Sequence, residues 1–225
     1  MPENTLAGFR LAARLGFKAV EFDVMLTADG VPILIHDETL RRTTGGHGRV
    51  ADLEWAAISR LDAGARFHPA WAGEPVPRLA DALTQCAALG LAVNVEIKPA
   101  AGHAAETGSV VARVVQGAWP AGLPLLFSSF SEKALAAAAE VAGPWPRALL
   151  VKAIPGDWHA RLAALGCTAL HARAADLSAQ RMDELRAAGV PVAAYTVNSS
   201  PEAERCFALG ATALFTDRLD RFGPA

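Results

Sequence analysis

The chain has 225 residues, 52% of them hydrophobic and 20% charged, with a formal net charge of −2. That balance suits one large globular domain over residues 1–225 and excludes a disordered chain; it also lacks the basic surplus that a nucleic-acid partner would require. No apolar run approaches the ~20 residues of a membrane span, so no stable membrane insertion is expected. Cys86, Cys167 and Cys206 are scattered singly. Their spacing fits neither a disulfide framework nor a zinc site, which favours a reducing, cytoplasmic setting.

The chain opens on a helix. Pro2 and Glu3 lead into Asn4 or Thr5 as N-cap, and Leu6, Phe9 and Ala13 form a core stripe. Leu15-Gly16 closes it, and residues 19–25, Ala-Val-Glu-Phe-Asp-Val-Met, read as a buried strand. Residues two apart on a strand point to the same side, so Glu21 and Asp23 aim at one place. Burying two like charges costs several kcal/mol unless something positive binds them, and a divalent metal ion is the simplest answer.

Asp29-Gly30 between apolar runs signals a hairpin whose return strand ends at His36-Asp37. No helix is then expected until about residue 79. Residues 26–78 are too long for a plain loop and read as an insertion, a lid that shapes a substrate site. Downstream, strand 92–98 ends in Glu96 and Lys98, which again share a face.

From there a helix, a glycine and a short apolar strand recur, at Leu89-Gly90, Leu165-Gly166, Gly189 and Leu209-Gly210. Helices are expected to start near Leu79, Ala104, Ser131, Trp158, Ser178 and Ser200, with further strands over 124–130, 147–152, 168–172, 191–197 and 212–216. Such a repeat builds a parallel α/β sheet. Polar residues gather at the far strand ends: Ser128 and Ser129, His171, Tyr195 and Asn198, Thr216 and Asp217. Function at the carboxyl ends of parallel strands is the pattern of the (β/α)8 TIM barrel, with a small insertion after its second strand. No glycine-rich phosphate loop follows the first strand, which weakens a doubly wound alternative. The strands number seven, so the barrel's first strand is expected to be absent from this chain, leaving open edges on the strands at 19–25 and 212–216.

His36 is a candidate acid or base near neutral pH, although a turn histidine is ordinary when taken alone. Glu3 and Asn4 either orient the metal site or cap the first helix. His171 either lines the mouth, touching substrate, or packs inside. Ser129 and Phe130 read as shaping the site, since no base partner marks the serine as a nucleophile. Arg41 and Arg42 read as solvated, and His47, His68, His103 and His159 as loop or surface residues.

Several segments together resemble the glycerophosphodiester phosphodiesterase family, most of all its cytosolic bacterial members. They are Pro2-Glu-Asn-Thr-Leu-Ala7, Glu21-Phe-Asp23, Leu26-Thr-Ala-Asp-Gly-Val-Pro32, His36-Asp37 with Leu40 and Arg42-Thr-Thr44, and Glu96-Ile-Lys98. Leu126-Phe-Ser-Ser-Phe130, Tyr195-Thr-Val-Asn198 and Phe215-Thr-Asp217 extend the match nearly to the end. The resemblance implies hydrolysis of a small-molecule glycerophosphodiester to glycerol 3-phosphate and an alcohol, with Mg²⁺ or Ca²⁺ as cofactor. It implies Glu21, Asp23 and Glu96 as metal ligands, Lys98 as the group that neutralises the phosphate, and His36 as general acid. Tyr195 stands where many members carry Trp and would pack against the glycerol.

The family also carries a His-Arg-Gly motif on the first barrel strand, just before Pro-Glu-Asn-Thr. This sequence has no such motif, so its place falls ahead of Met1 and the chain as written is expected to be a poor catalyst. Two rivals differ in class. A phospholipase of the same superfamily would want an apolar or basic membrane-docking surface. A degenerate barrel would bind phosphodiesters without cleaving them.

Overall fold

A computed structural model describes residues 1–223; Pro224 and Ala225, the end of the span expected as one domain, lie outside the described residues. Of the two candidate caps, Thr5 takes the role for helix α1 (Leu6–Arg14): its hydroxyl accepts from the Gly8 N–H at 3.2 Å. Asn4, with φ 53°, is thereby free for other work. Phe9 on α1 meets Phe22 of strand β1 (Ala19–Leu26), their ring centroids 5.4 Å apart. Phe22 and Val24 face the helices, so the two-residue period turns Glu21, Asp23 and Met25 to the opposite face.

Gly30, at φ 75°, makes the turn into β2 (Pro32–Leu34), which pairs antiparallel to β1 with Val24 opposite Leu34 and Leu26 opposite Pro32. The segment up to residue 78 is not free of helix, as the sequence led one to expect. It holds two single α-helical turns, α2 (Arg41–Thr44) and α3 (Trp55–Ile58), and two shorter 3-10 turns at Val50–Asp52 and Pro69–Trp71. One turn is too short to carry a 3.6-residue apolar stripe, so periodicity cannot find it. Met25, Ile33, Leu40, Val50, Ile58 and Val76 give this segment an apolar cluster of its own.

The rest alternates as expected: α4 (Leu79–Ala88), β3 (Ala92–Ile97), α5 (Ala104–Ala118), β4 (Leu125–Ser129), α6 (Glu132–Val141), β5 (Arg147–Val151), α7 (Trp158–Leu165), β6 (Ala169–Arg173), α8 (Ala179–Ala187), β7 (Val192–Tyr195), α9 (Ser200–Ala208) and β8 (Ala213–Leu214). The sheet runs β2-β1-β3-β4-β5-β6-β7-β8, and every pair from β1 onward is parallel. Apart from the antiparallel β2, the parallel strands follow one another in chain order without the reversal that a doubly wound sheet would require, so the fold is α/β of the (β/α)8 type. The open edge expected on the strand at 19–25 needs a correction. β2 covers it over Val24–Leu26, because the hairpin return strand takes the free N–H and C=O groups there.

On the helix side, Val93, Val95 and Ile97 of β3 pack with Leu79, Leu83 and Cys86 of α4 and Val111 and Val115 of α5. At the α5–α6 seam a Cβ on Gly108 would lie 2.2 Å from the Ala134 carbonyl oxygen, so only glycine permits this approach. At the amino end of β5, Arg147 is buried and donates to the carbonyls of Gly143, Trp145, Leu165 and Gly166, at 2.9–3.3 Å. These carbonyls lie at and beyond the ends of α6 and α7, where no intrahelical donor reaches them.

Candidate active site

β1 and β3 are parallel neighbours with Glu21 opposite Asn94 and Asp23 opposite Glu96. This register stacks the acidic side chains on the inner face of the sheet. Carboxylate oxygens of Glu21, Asp23 and Glu96 all lie within 4.8 Å of one another. Oxygens bound to one hard cation at ~2.0–2.6 Å are separated by no more than roughly 5 Å, so the spacing fits such an ion. Lys98 Nζ stands 3.4 Å from Asp23 Oδ1. Fully ionised, three carboxylates against one ammonium would leave two negative charges uncompensated.

The electrostatics agree. Burial, and then the charges of Asp23 and Glu96, push the Glu21 carboxyl well above the usual carboxylate range. Burial, and then Asp23, push Glu96 up to about 8, with Lys98 pulling the other way. Glu21 Oε1 and Glu96 Oε1 are shut off from solvent and accept no hydrogen bond. Buried acceptors normally have partners, so these two are aimed at something outside the protein's own donors. Asp23 is held differently. Asn4 Nδ2 donates to its Oδ2 at 2.9 Å, and the Asp23 N–H donates to Asn4 Oδ1 at 2.9 Å. Asn4 therefore orients an acid of the cluster rather than capping α1.

His36 lies two residues past the end of β2. Its Nδ1 lies 2.8 Å from Asp37 Oδ1. Arg42 donates from Nε and Nη2 to Asp37 and from Nη1 and Nη2 to Glu3, at 2.6–2.9 Å. The Arg42 guanidinium, with a smaller contribution from His36, holds the Asp37 carboxyl down to about 2. Arg42 is thus not the freely solvated side chain the sequence suggested. Its partners Glu3 and Asp37 are far from it in sequence or hidden in a turn, and only the motif around Leu40 and Thr43 hinted at a fixed role.

A cleft of about 290 Å³ opens beside these groups, lined among others by His36, Glu38, Glu96, Lys98, Ser129 and Phe130. Ser129 Oγ donates to the Ile97 carbonyl at 2.6 Å and accepts from the Ser131 N–H, so its hydroxyl is engaged in holding the strand ends. Phe130 is half-exposed and stands edge-on to Tyr195 at 6.0 Å. Tyr195 donates its hydroxyl to the Val151 carbonyl at 2.8 Å, so it presents a ring rather than a free hydroxyl.

His171 requires a correction to the mouth-lining expectation. It is buried, packs against the Phe215 ring at 4.9 Å, and is absent from the cleft wall. The inner face of β6 places it below the mouth, between β5 and β7. The structure thus brings Glu21, Asp23, Glu96, Lys98 and His36 to one end of the sheet, sets Tyr195 behind Phe130, and leaves His171 inside. Phe130 lines the cleft beside Ser129, where the pair was expected to shape the site, and Glu38 is a cleft residue that sequence reasoning did not single out.

Residues 1–221 match the model of the glycerophosphoryl diester phosphodiesterase family. The chain is similar to a solved phosphodiesterase from Oleispira antarctica, in complex with the product sn-glycerol-3-phosphate, with 38% identity and a TM-score of 0.94 over 96% of this chain and 87% of that one. It is also similar to a solved glycerophosphodiester phosphodiesterase from Agrobacterium tumefaciens, with 27% identity and a TM-score of 0.76 over 97% of this chain and 92% of that one. A glycerophosphodiester phosphodiesterase from Caldanaerobacter subterraneus is 45% identical over 98 residues, which are 44% of this chain and 40% of the relative. Matches of that kind span under half the length of the curated relatives. No helix among the described residues is long and apolar enough to cross a membrane.

Proposed function

Because the chain belongs to the glycerophosphoryl diester phosphodiesterase family, we propose that it hydrolyses glycerophosphodiesters to glycerol 3-phosphate and an alcohol at the carboxyl end of its sheet. The observation that carries this reading is the convergence of Glu21, Asp23 and Glu96, with orphaned oxygens on Glu21 and Glu96, beside a cleft that Glu96 lines together with Lys98 and His36. The relative from Oleispira antarctica, solved with sn-glycerol-3-phosphate, supports the substrate class.

Glu21, Asp23 and Glu96 would hold a divalent cation. An all-carboxylate set is hard and suits Mg²⁺ or Ca²⁺ rather than a soft metal. Such an ion, when bound, offsets charge growing on the phosphoryl oxygens. Lys98, tethered to Asp23, offers its ammonium to the same phosphate. His36 supplies the proton that the departing alcohol oxygen needs, since an alkoxide is a poor leaving group. Its Nδ1 is occupied by Asp37, so Nε2 is the nitrogen left to give that proton. Phe130, backed by Tyr195, forms an apolar wall that limits water around the glycerol. Residues 26–78 act within one phosphodiesterase domain as the lid that carries His36 and Glu38 to the cleft. The free cysteines support a reducing, cytoplasmic setting.

The test is His36→Ala in the intact protein. Cleavage of an alkyl diester such as glycerophosphocholine should slow by about 10²–10⁴-fold. A nitrophenyl diester, whose leaving group is already acidic, should lose far less. Equal losses on both would remove His36 from the acid's role, and activity that survives exhaustive chelation would remove the cation.

A further inference from the structure

We propose that Arg42 is a positioning residue that locks the general-acid arm to the metal-binding arm of the site through Asp37 and Glu3. The inference rests on the proposed function, and it deepens that reading rather than repeating it.

The geometry carries it. A guanidinium has five N–H donors in a fixed plane. Arg42 commits four hydrogen bonds from them to two carboxylates, Nε and Nη2 to Asp37 at 2.6 and 2.9 Å, Nη1 and Nη2 to Glu3 at 2.6 and 2.7 Å. Isolated surface ion pairs contribute little, but fork-shaped arginine pairs and networks are the exception. Each partner leads onward to the chemistry. Asp37 contacts His36 Nδ1 at 2.8 Å. Glu3 precedes Asn4, whose amide grips Asp23 from both sides. Lying thirty-nine residues apart, Glu3 and Arg42 join the start of α1 to the hairpin segment.

Two consequences follow for the histidine. An ionised Asp37 only accepts, so His36 Nδ1 must carry its hydrogen, and Nε2 is fixed as the nitrogen facing the reaction. His36 is itself half-exposed, with 52% of its side chain accessible, so packing alone does not hold the ring. The orientation comes from Asp37, and Asp37 is held by Arg42. A loss of about 1 Å in such an alignment costs on the order of 10²-fold in rate.

The experiment compares Arg42→Lys, Arg42→Ala and His36→Ala, and the double variant Arg42→Lys/His36→Ala, in the intact protein. Lysine keeps the charge but cannot span both carboxylates as a fork. Either Arg42 variant should lower kcat on glycerophosphocholine by about 10–100-fold, with KM changed little. The loss should shrink on a nitrophenyl diester. In the His36→Ala background Arg42→Lys should cost almost nothing more, because the residue acts through the ring that is gone. A separate readout needs no turnover. Read at alkaline pH, where the imidazole is neutral, nitrogen-15 shifts of His36 should report a single Nδ1–H tautomer in the unchanged protein and a tautomer mixture in Arg42→Ala; the ring that acts as acid carries a second hydrogen, on Nε2. Additive losses in the double variant, or unchanged ring shifts, would overturn the proposal while leaving His36 as acid. No loss in His36→Ala itself would instead remove the function on which it rests.

Discussion

The two ends of the strands bury charge in opposite ways. At the amino end of β5, Arg147 is buried, and its guanidinium finds four backbone carbonyls from the ends of α6 and α7. The cation satisfies the carbonyls and the carbonyls satisfy the cation, so nothing is left for a ligand. At the carboxyl ends of β1 and β3, Glu21 and Glu96 are also withdrawn from solvent, yet each keeps an oxygen with no donor. Their neighbours are other acids, and burial with mutual repulsion pushes both carboxyls upward. One end resolves its buried charge within the fold, while the other keeps carboxylate oxygens that no donor of the fold meets. The same sheet therefore separates stability from chemistry along its strand axis, as parallel barrels do.

The comparison is most directly broken by Arg147→Met. Methionine keeps much of the packing but leaves four carbonyls without their donor. Urea unfolding should show a loss of roughly 4 kcal/mol, with cation affinity unchanged in the protein that remains folded. A loss below about 1 kcal/mol would mean that water satisfies those carbonyls and that this end is less self-contained than the geometry indicates.

Next in size comes the guest itself. A saturating divalent cation at about 100 times its Kd should stabilise the protein by ~2.7 kcal/mol, read as a rise in melting temperature with added Ca²⁺ or Mg²⁺. Glu96→Gln should lose most of that rise while the cation-free form becomes more stable, because one of the repelling acids is gone. A variant that is less stable without cation and still responds fully to it would contradict the role given to Glu96.

How far this contrast could be read from sequence depends on the range of the signal. The strands and long helices were legible because their apolar residues recur with periods of two or 3.6, and glycine marks the breaks between them. Glu21, Asp23, Glu96 and Lys98 were legible because two-residue spacing on an apolar strand fixes a shared face. The one-turn helices at Arg41–Thr44 and Trp55–Ile58 were not, since a single turn has no period. Arg42 read as solvated because its partner Glu3 lies far back in the chain. His171 ends an apolar strand much as Glu96 does, but alternation fixes the face and not the depth, and the ring lies against Phe215. Arg147 gave no signal at all, because backbone carbonyls are present at every residue.

A smaller effect should sharpen the scaffold side. Gly108→Ala places a Cβ 2.2 Å from the Ala134 carbonyl oxygen, so α5 and α6 must move apart. The expected loss is about 2 kcal/mol in urea unfolding. The seam is remote in kind from the acidic cluster, so the cation-induced rise in melting temperature should survive intact. Loss of that rise would show that helix packing and site geometry are coupled.

The smallest expected effect is the dependence of cation-free stability on pH, and its sign separates the two kinds of buried group. Glu96 is pushed up to about 8 in the folded chain, with burial the main cause, so between the ordinary carboxylate range and pH 8 the folded state holds a proton that the unfolded state has released. Stability then falls as pH rises, being fully present below the unfolded value and lost on passing through about 8. Glu21 acts in the same direction. His171 opposes them: burial lowers it to about 4, so its contribution is present above the unfolded value near 6.5 and is lost as pH falls toward 4. The two trends compete below about pH 6.5, which leaves pH 6.5–8 as the clean window. There the cation-free protein should lose on the order of 1 kcal/mol, since one bound proton corresponds to about 1.4 kcal/mol per pH unit before solvent relaxation weakens it. Glu96→Gln should flatten the slope, and saturating cation should reverse it, because binding requires the carboxylates deprotonated. Chemical denaturation of the three samples across pH 6–8.5 measures all of this, and a cation-free protein that gains stability over pH 6.5–8 would show that Glu21 and Glu96 are already ionised and compensated without any guest.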